Sequence, residues 1–361
     1  MNKPIIGILT WREGNRFLEP QYFRRLIQAG KELGTIVFLF SPADVYRERG
    51  QVKGFVPSLN GGWLERLFPM PDVVIDRYRY TPKQSFRDYV QFRKDSPLLF
   101  TNNRLANKWR VHQILWQDEQ MRKWLPETWN YQPMKFREML AKHKYVFVKP
   151  SNGTGGRGIL RIKQTAKGYE LLGRTKERSK VQHILNTSQA VMSKVRNWAK
   201  NELFLVQQGL DLDLIPKRTV DIRLLIQKNG EGQWSVTGLG VRIGGNKSAT
   251  SNLHGGGKAV PVSEFLTPKF GSQQSYTIIQ ECHDLAHQTA SVLENHFGRL
   301  IELGLDIGID VNGRVWLIEV NPKPGREIFR HLGQQTRYEQ AIKRPIEYAL
   351  YLSSIHENIR K

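Results

Sequence analysis

Lys149 stands just ahead of a stretch in which four of six residues are glycine: Gly153, Gly155, Gly156 and Gly158. Glycine loses more backbone freedom on ordering than any other residue, so this density implies a backbone that must approach something closely. Backbone N–H groups in such a loop can cap phosphate oxygens with no side chain in the way. A lysine ammonium at the loop's entrance adds a point charge to the same group. Far along the chain, Asp306, Glu319 and Asn321 offer oxygen donors. Glu319 and Asn321 are two apart in "VWLIEVN", which puts both on one face of a strand. Asn312-Gly313 lies between two apolar runs, a hairpin signal that folds Asp306 back beside them. Two carboxylates and an amide on one sheet face suit a hard divalent cation such as Mg2+ bridging phosphates. Glu319 is flanked by apolar residues, and a buried carboxylate needs a cation or hydrogen bonds. Asp310 reads as a turn residue.

The elements that must hold these groups narrow the chemistry. Gly153, Gly155 and Gly158 satisfy G-x-G-x-x-G, but a dinucleotide-binding turn opens a helix, and "GILRI" reads as a strand. A Walker A loop needs Lys and then Ser or Thr after its last glycine, where Ile159 and Leu160 stand. A kinase flap has its lysine on a later strand, and neither H-R-D nor D-F-G occurs. What remains is a flap between two strands, 145–149 and 159–162, with a lysine at its entrance. Before it, strands are predicted at 5–10, 35–40, 72–76 and 98–101, with a helix over 20–33 and a turn-rich region over 41–70. Beyond 102, helices are predicted over 108–123 and about 275–297, and 180–201 is polar and helix-favouring. Strands are predicted at 203–207, 220–227 and 233–243. The chain reads as α/β with more than one domain. Arg223 is out of place in a strand as apolar as "VDIRLLI", and Asp221 shares its face as a candidate partner.

The 361 residues include 55 Lys+Arg against 33 Asp+Glu, a net charge of +22. That excess favours anionic partners or ligands, yet no run of five basic residues marks a nucleic-acid arm. The one cysteine, Cys282, excludes an internal disulfide framework and a multi-cysteine metal site. No stretch is long and apolar enough to predict a membrane-spanning helix. A reducing compartment is expected, with neither membrane nor nucleic acid as partner. No Ser-His-Asp or Cys-His pattern offers a side-chain nucleophile.

Lys108, "VFVKP" with its glycine loop, "ELFLVQQGL", a strand carrying "DIR", and D-x12-E-x-N together resemble the ATP-grasp superfamily. The spacing from Asp306 to Glu319 is similar to that of D-alanine–D-alanine ligases. "DIR" (221–223), Arg242 and "SNLHGGG" (251–257) resemble the glutathione-synthetase-like branch. "LVQQGLDL", "VTGLGVRIGG", "SNLHGGGKA" and "LIEVNPKPGR" resemble the YheC/YheD family of endospore coat-associated proteins, along the whole chain. The resemblance implies two α+β subdomains clasping ATP, at 101–202 and 203–361, after a small α/β domain at 1–100. It implies that Lys108 and Lys149 bind the ATP phosphates under a flap of Gly153, Gly155, Gly156 and Gly158. It further implies that Gln207, Gln208 and Leu210 read adenine and that Asp213 holds the ribose. Asp306, Glu319 and Asn321 would ligate Mg2+, as two ions. Arg223, Arg242 and Asn252 would serve the transferred phosphoryl group or the substrate carboxylate. The implied reaction is activation of a carboxylate as an acyl phosphate for attack by an amine or similar nucleophile. The alternative is an ATP-binding coat component without turnover. The implied setting is the mother-cell cytoplasm or the spore coat, with coat components or an anionic polymer as partners. The first 100 residues match no substrate signature.

Overall fold

The computed structural model describes residues 3–79, 82–152, 157–177, 179–200, 202–216, 218–244 and 257–360. Three large sheets, beside a two-stranded ribbon, organise them. The first begins with β1 (Ile5–Leu9), α1 (Pro20–Glu32) and β2 (Ile36–Phe40), with β1 and β2 parallel. Covered on both sides, these strands read as continuous apolar runs. Pro20 opens α1, where its missing N–H costs nothing. The region 41–70, read from sequence as turns, contains a hairpin of β3 (Gln51–Pro57) and β4 (Trp63–Pro69). It escapes notice because β4 is an exposed edge strand with no continuous apolar run. β5 (Val73–Asp76) pairs parallel with β1, and α2 (Lys83–Asp95) follows. The strand expected over 98–101 is reduced to a single bridge, Val74 to Phe100.

α3 (Lys108–Gln117) is capped by Asn107, whose side chain accepts from the Arg110 N–H. The predicted continuation to 123 breaks at Asp118, whose carboxylate accepts from the Met121 N–H at 2.9 Å and starts a separate 3-10 turn. The second sheet is antiparallel. It contains β6 (Thr128–Asn130), β7 (Tyr145–Pro150), β8 (Leu160–Thr165), β9 (Gly168–Arg174), β10 (Lys180–Leu185) and β11 (Phe204–Gln208). Their order is β10-β9-β8-β7-β11-β6. α4 (Pro133–His143) and α5 (Ser188–Trp198) cover one face. The stretch 180–201 is thus a strand and a helix, not helix throughout. β10 is a mostly exposed edge made by pairing with β9, and Thr187 caps α5 through its hydroxyl.

The third sheet runs from β12 (Val220–Lys228) and β13 (Trp234–Ile243) through β14 (Lys258–Val260) to β15 (Glu302–Ile309) and β16 (Val315–Asn321). Its order is β14-β13-β12-β15-β16. The expected turn at Asn312-Gly313 joins β15 to β16. Gly313 has φ +83°, and Asp310 accepts from the Asn312 and Arg314 N–H groups. α6 (Val262–Phe297) covers one face; it begins before the predicted residue 275 and is interrupted at Gly271. Ile222, Leu224, Leu305 and Ile307 pack there against Ile278, Leu285 and Leu293. Each such fully buried side chain contributes roughly 1.5–3 kcal/mol. α7 (Glu327–His331) and α8 (Gln335–Arg360) lie on the other side, where α8 shares a core with the first sheet. Among the described residues no helix is long and apolar enough to cross a membrane.

Candidate functional site

One face of the third sheet carries a charged stripe. Asp306 on β15 lies directly across from Glu319 on β16, and Gly304 across from Asn321. Opposed residues of antiparallel strands share a face, so the hairpin brings the predicted oxygen donors together. On the neighbouring strands Arg223 faces Asp306, and Asp221 faces Arg242. Arg223 Nη2 lies 2.8 Å from Asp306 Oδ1, and Arg242 Nη2 lies 3.1 Å from the same oxygen. Arg242 also donates to both Asp221 oxygens, at 2.7 and 2.6 Å. The sequence offered Asp221 to Arg223; in the structure Asp221 grips Arg242, and Arg223 reaches across to Asp306. Residues two apart on a strand are about 7 Å apart along it, whereas opposed residues are about 5 Å apart. Burial alone would weaken the Arg242 charge, but the carboxylates of Asp306 and Asp221 outweigh it and hold the guanidinium firmly protonated.

The second sheet supplies the opposing wall. Tyr145, Phe147 and Lys149 alternate onto its free face, away from the apolar core under Val146 and Val148. Lys149 Nζ donates to Gln207 Oε1 at 2.8 Å, and Gln207 Nε2 donates to Thr128 Oγ1 at 2.8 Å. Thr128 passes its own proton to the Pro126 carbonyl at 2.9 Å. A hydroxyl has one proton to give, so Thr128 can only accept from Gln207, and the amide oxygen is left facing Lys149. Thr128 went unnoticed in the sequence, since only the strand pairing of β6 with β11 brings it there.

Lys108, at the first turn of α3, closes the space between the two walls with Nζ 3.2 Å from Glu319 Oε1. Burial, and then the charge of Lys108, pull the Lys149 ammonium down to about 8, with Glu319 opposing. His112, half-buried and near Lys149, falls to about 4 through desolvation and the neighbouring charge and is neutral at neutral pH. The resulting cleft has an apolar lining that includes Val111, Leu115, Leu205 and Leu317. Lys108, Lys149, Gln207 and Glu319 form its polar end. Among the described residues no group of three or more His, Cys, Asp or Glu gathers as a metal cluster. The candidate donors are two carboxylates directly opposed across a ladder, with an amide two residues on, all oxygen; this set fits a hard cation.

The remaining predicted residues fall elsewhere. Gln208 pairs through its backbone with Glu127, and Leu210 is buried just beyond. Asp213 does not line the cleft that holds Lys149. It lies with Asp211, Tyr145, Arg161 and Lys163 around a second cleft. Gly158 has φ +69°, and its carbonyl accepts from Trp198 Nε1 at 2.9 Å. Gly153, Gly155, Gly156 and Asn252 lie outside the described residues.

Known proteins resemble this chain in fold and sequence. The chain is 29% identical over 364 residues to the endospore coat-associated protein YheD of Bacillus subtilis, covering 97% of this chain and 79% of that protein. It is 27% identical over 350 residues to YheC of the same organism, covering 93% of each. Among solved structures it resembles the D-cycloserine synthetase DcsG, with a TM-score of 0.57 at 13% identity over 97% of this chain and 99% of that one. It also resembles the D-alanyl-alanine synthetase A of Vibrio cholerae, with a TM-score of 0.54 at 12% identity over the same shares. These two likenesses concern the fold. A family model described as YheC/D-like ATP-grasp matches residues 98–352. With its clasped sheets and its carboxylate hairpin, the chain belongs to the YheC/D-like ATP-grasp family.

Proposed function

We propose that this protein is an ATP- and Mg2+-dependent ligase that activates a carboxylate as an acyl phosphate for attack by an amine or similar nucleophile. The observation that carries this reading is the pair of cations, Lys108 and Lys149, at the polar end of an apolar cleft opposite the Asp306–Glu319 hairpin. The apolar walls receive the base, and the two lysines hold the phosphates. Asp306, Glu319 and Asn321 would hold Mg2+, which when bound offsets charge on the phosphates. Arg223 and Arg242 lie on the same sheet face, where a guanidinium can steady the transferred phosphoryl group or the acid that receives it. No side-chain nucleophile is needed, because ATP supplies the activation and the second substrate supplies the attack. ADP and phosphate leave.

Acceptor-dependent ADP release tests this. With Mg2+ present, a panel of carboxylates offered with amines is expected to contain a pair that raises ADP production above the rate with ATP alone. Failure of Mg-ATP to bind in a calorimetric titration would end the reading. A second reading, a nucleotide-binding coat component without turnover, draws on the names of its relatives and on one observation. Asp306 is already held by two arginines and Glu319 by Lys108, so the hairpin is internally neutralised. Tight Mg-ATP binding with no ADP from any acceptor would favour that reading. Either activity is placed by us with the endospore coat, in a cytoplasmic or coat-bound setting.

Lys149 gives the nucleotide affinity a pH dependence. Its ammonium titrates near 8 in the folded chain, against an ordinary value of 10.5. The unfolded chain therefore binds more protons between those values. The burial penalty on folding is full below about 8 and fades as pH rises toward 10.5. The ligand's phosphates need the charged form, so ATP affinity is expected to fall as pH rises through about 8. Calorimetric titration from pH 6.5 to about 9.5 measures this, and Lys149→Arg, which stays charged, is expected to flatten the profile.

A further inference from the structure

We propose that the seam between the first sheet and the loop after β16 binds a second oxyanion, a carboxylate or phosphate carried by the molecule whose carboxyl group is activated. The naming of that molecule rests on the ligase reading; the anion site stands on the seam's own charges. The loop 322–326 starts at the cleft, which Pro322 lines, and ends against the first sheet. There Lys323 Nζ donates to Asp76 Oδ1 at 2.7 Å and to the Tyr78 carbonyl at 2.6 Å. Asp76 ends β5, which runs parallel to β1. Open parallel sheets bind ligands off the carboxyl ends of their strands.

The seam holds more positive than negative charge. Arg77 bridges Glu302 and Glu19, each at 2.9 Å, and Arg326 pairs with Glu302. Arg79 donates to the Lys323 carbonyl at 3.1 Å and pairs with Glu19 at 2.9 Å. Arg93 stands 3.7 Å from Asp76. Among the described residues the carboxylates paired with these four arginines and Lys323 are Glu19, Asp76 and Glu302. Burial disfavours the charge on Arg79, Arg93 and Lys323, and nearby guanidinium groups add to the effect on each. Among the described residues Arg77 Nε, Arg79 Nε and Arg93 Nη1 are buried with no hydrogen-bond partner. A buried donor left unpaired loses its full desolvation energy, and more so on a charged group. Arg77 and Arg326 already hold Glu302, and Arg93 donates to the Asn102 carbonyl at 2.9 Å and lies over the Phe100 ring; the surplus positive charge is open to an outside acceptor at Arg79.

The position suits one molecule reaching both sites. A Cβ on Gly304, which lies across from Asn321, would come within 2.6 Å of Pro324 and 3.0 Å of Arg223 Nη1. Arg223 therefore abuts the loop from the side of the carboxylate hairpin, and Arg79 holds its other side. Arg79 is also the open member of the seam, with 39% of its side chain exposed against 2% for Arg77.

Isothermal titration of the full chain with inorganic phosphate, glutarate and butyrate tests the site. Phosphate or glutarate is expected to bind at least tenfold more tightly than butyrate, and the preferred one of the two identifies the anion. Arg79→Gln is expected to weaken that binding at least tenfold with Mg-ATP affinity unchanged, and Arg79→Lys, which keeps the charge without the fork, to fall between. Dianions no better than butyrate, or equal binding to wild type and Arg79→Gln, would overturn the proposal. Failure of the wild-type protein to bind Mg-ATP, alongside the expected anion pattern, would instead count against the ligase reading alone.

Discussion

The Glu319→Gln protein is expected to fold and to bind ATP, yet to turn it over about 10²–10³-fold more slowly than wild type, the usual effect of deleting one electrostatic stabiliser of a transition state. Glutamine keeps the shape and removes only the charge. The fold has little at stake, because Glu319 and its partner Lys108 are each about a quarter exposed, and a pair open to water is worth no more than about 1 kcal/mol. ATP alone should bind as well as before, or more tightly, since the change releases Lys108 from its carboxylate and leaves it for the phosphates. The dependence on Mg2+ should weaken, because one of two anionic donors is gone. Steady-state ADP release across a magnesium titration, with the urea midpoint as the control for folding, separates these effects. Unchanged turnover at ordinary magnesium would remove Glu319 from the metal-holding role.

Arg242→Ala should be the most damaging single change in the charged stripe, for stability as well as activity. Arg242 is 9% exposed and bridges Asp221 and Asp306. Its removal leaves two largely buried carboxylates on one sheet face, with Arg223 still available to Asp306. Removing one partner from a buried ion network costs about 3–5 kcal/mol, a large share of the roughly 5–15 kcal/mol that holds an ordinary domain folded. Urea unfolding measures it. Arg242→Lys keeps the charge but cannot grip Asp221 with two parallel hydrogen bonds, so it should lose less stability. If Arg242→Ala unfolds at the wild-type midpoint, the stripe does not depend on this bridge.

The polar residues of the cleft explain what could be read from sequence and what could not. Glu319 and Asn321 were placed on one face by a two-residue spacing, and Asp306 was returned to them by Asn312-Gly313. Both signals are local, and both survive in the structure. Lys149 at a strand end before glycines was legible for the same reason. The apolar runs of β1 and β2 announced themselves because strands buried on both faces need no polar alternation, and β12 and β15 stood out as apolar runs broken by Asp221, Arg223 and Asp306 on the one face that carries charge. β4 and β10 did not, because edge strands are held by a neighbour's hydrogen bonds more than by their own hydrophobicity.

The sequence by itself determined the inventory of charges and the short-range geometry, since hairpin turns and strand alternation are decided within a few residues. Only the tertiary structure decided who neutralises whom. It gave Asp221 to Arg242 and Asp306 to Arg223, lined Thr128 and Gln207 up behind Lys149, and joined Arg77 to Glu302 across 225 residues of chain. Ion pairs and hydrogen bonds act over a few ångströms, and which groups come that close is settled by strand register and sheet order, set by the packing of the whole chain.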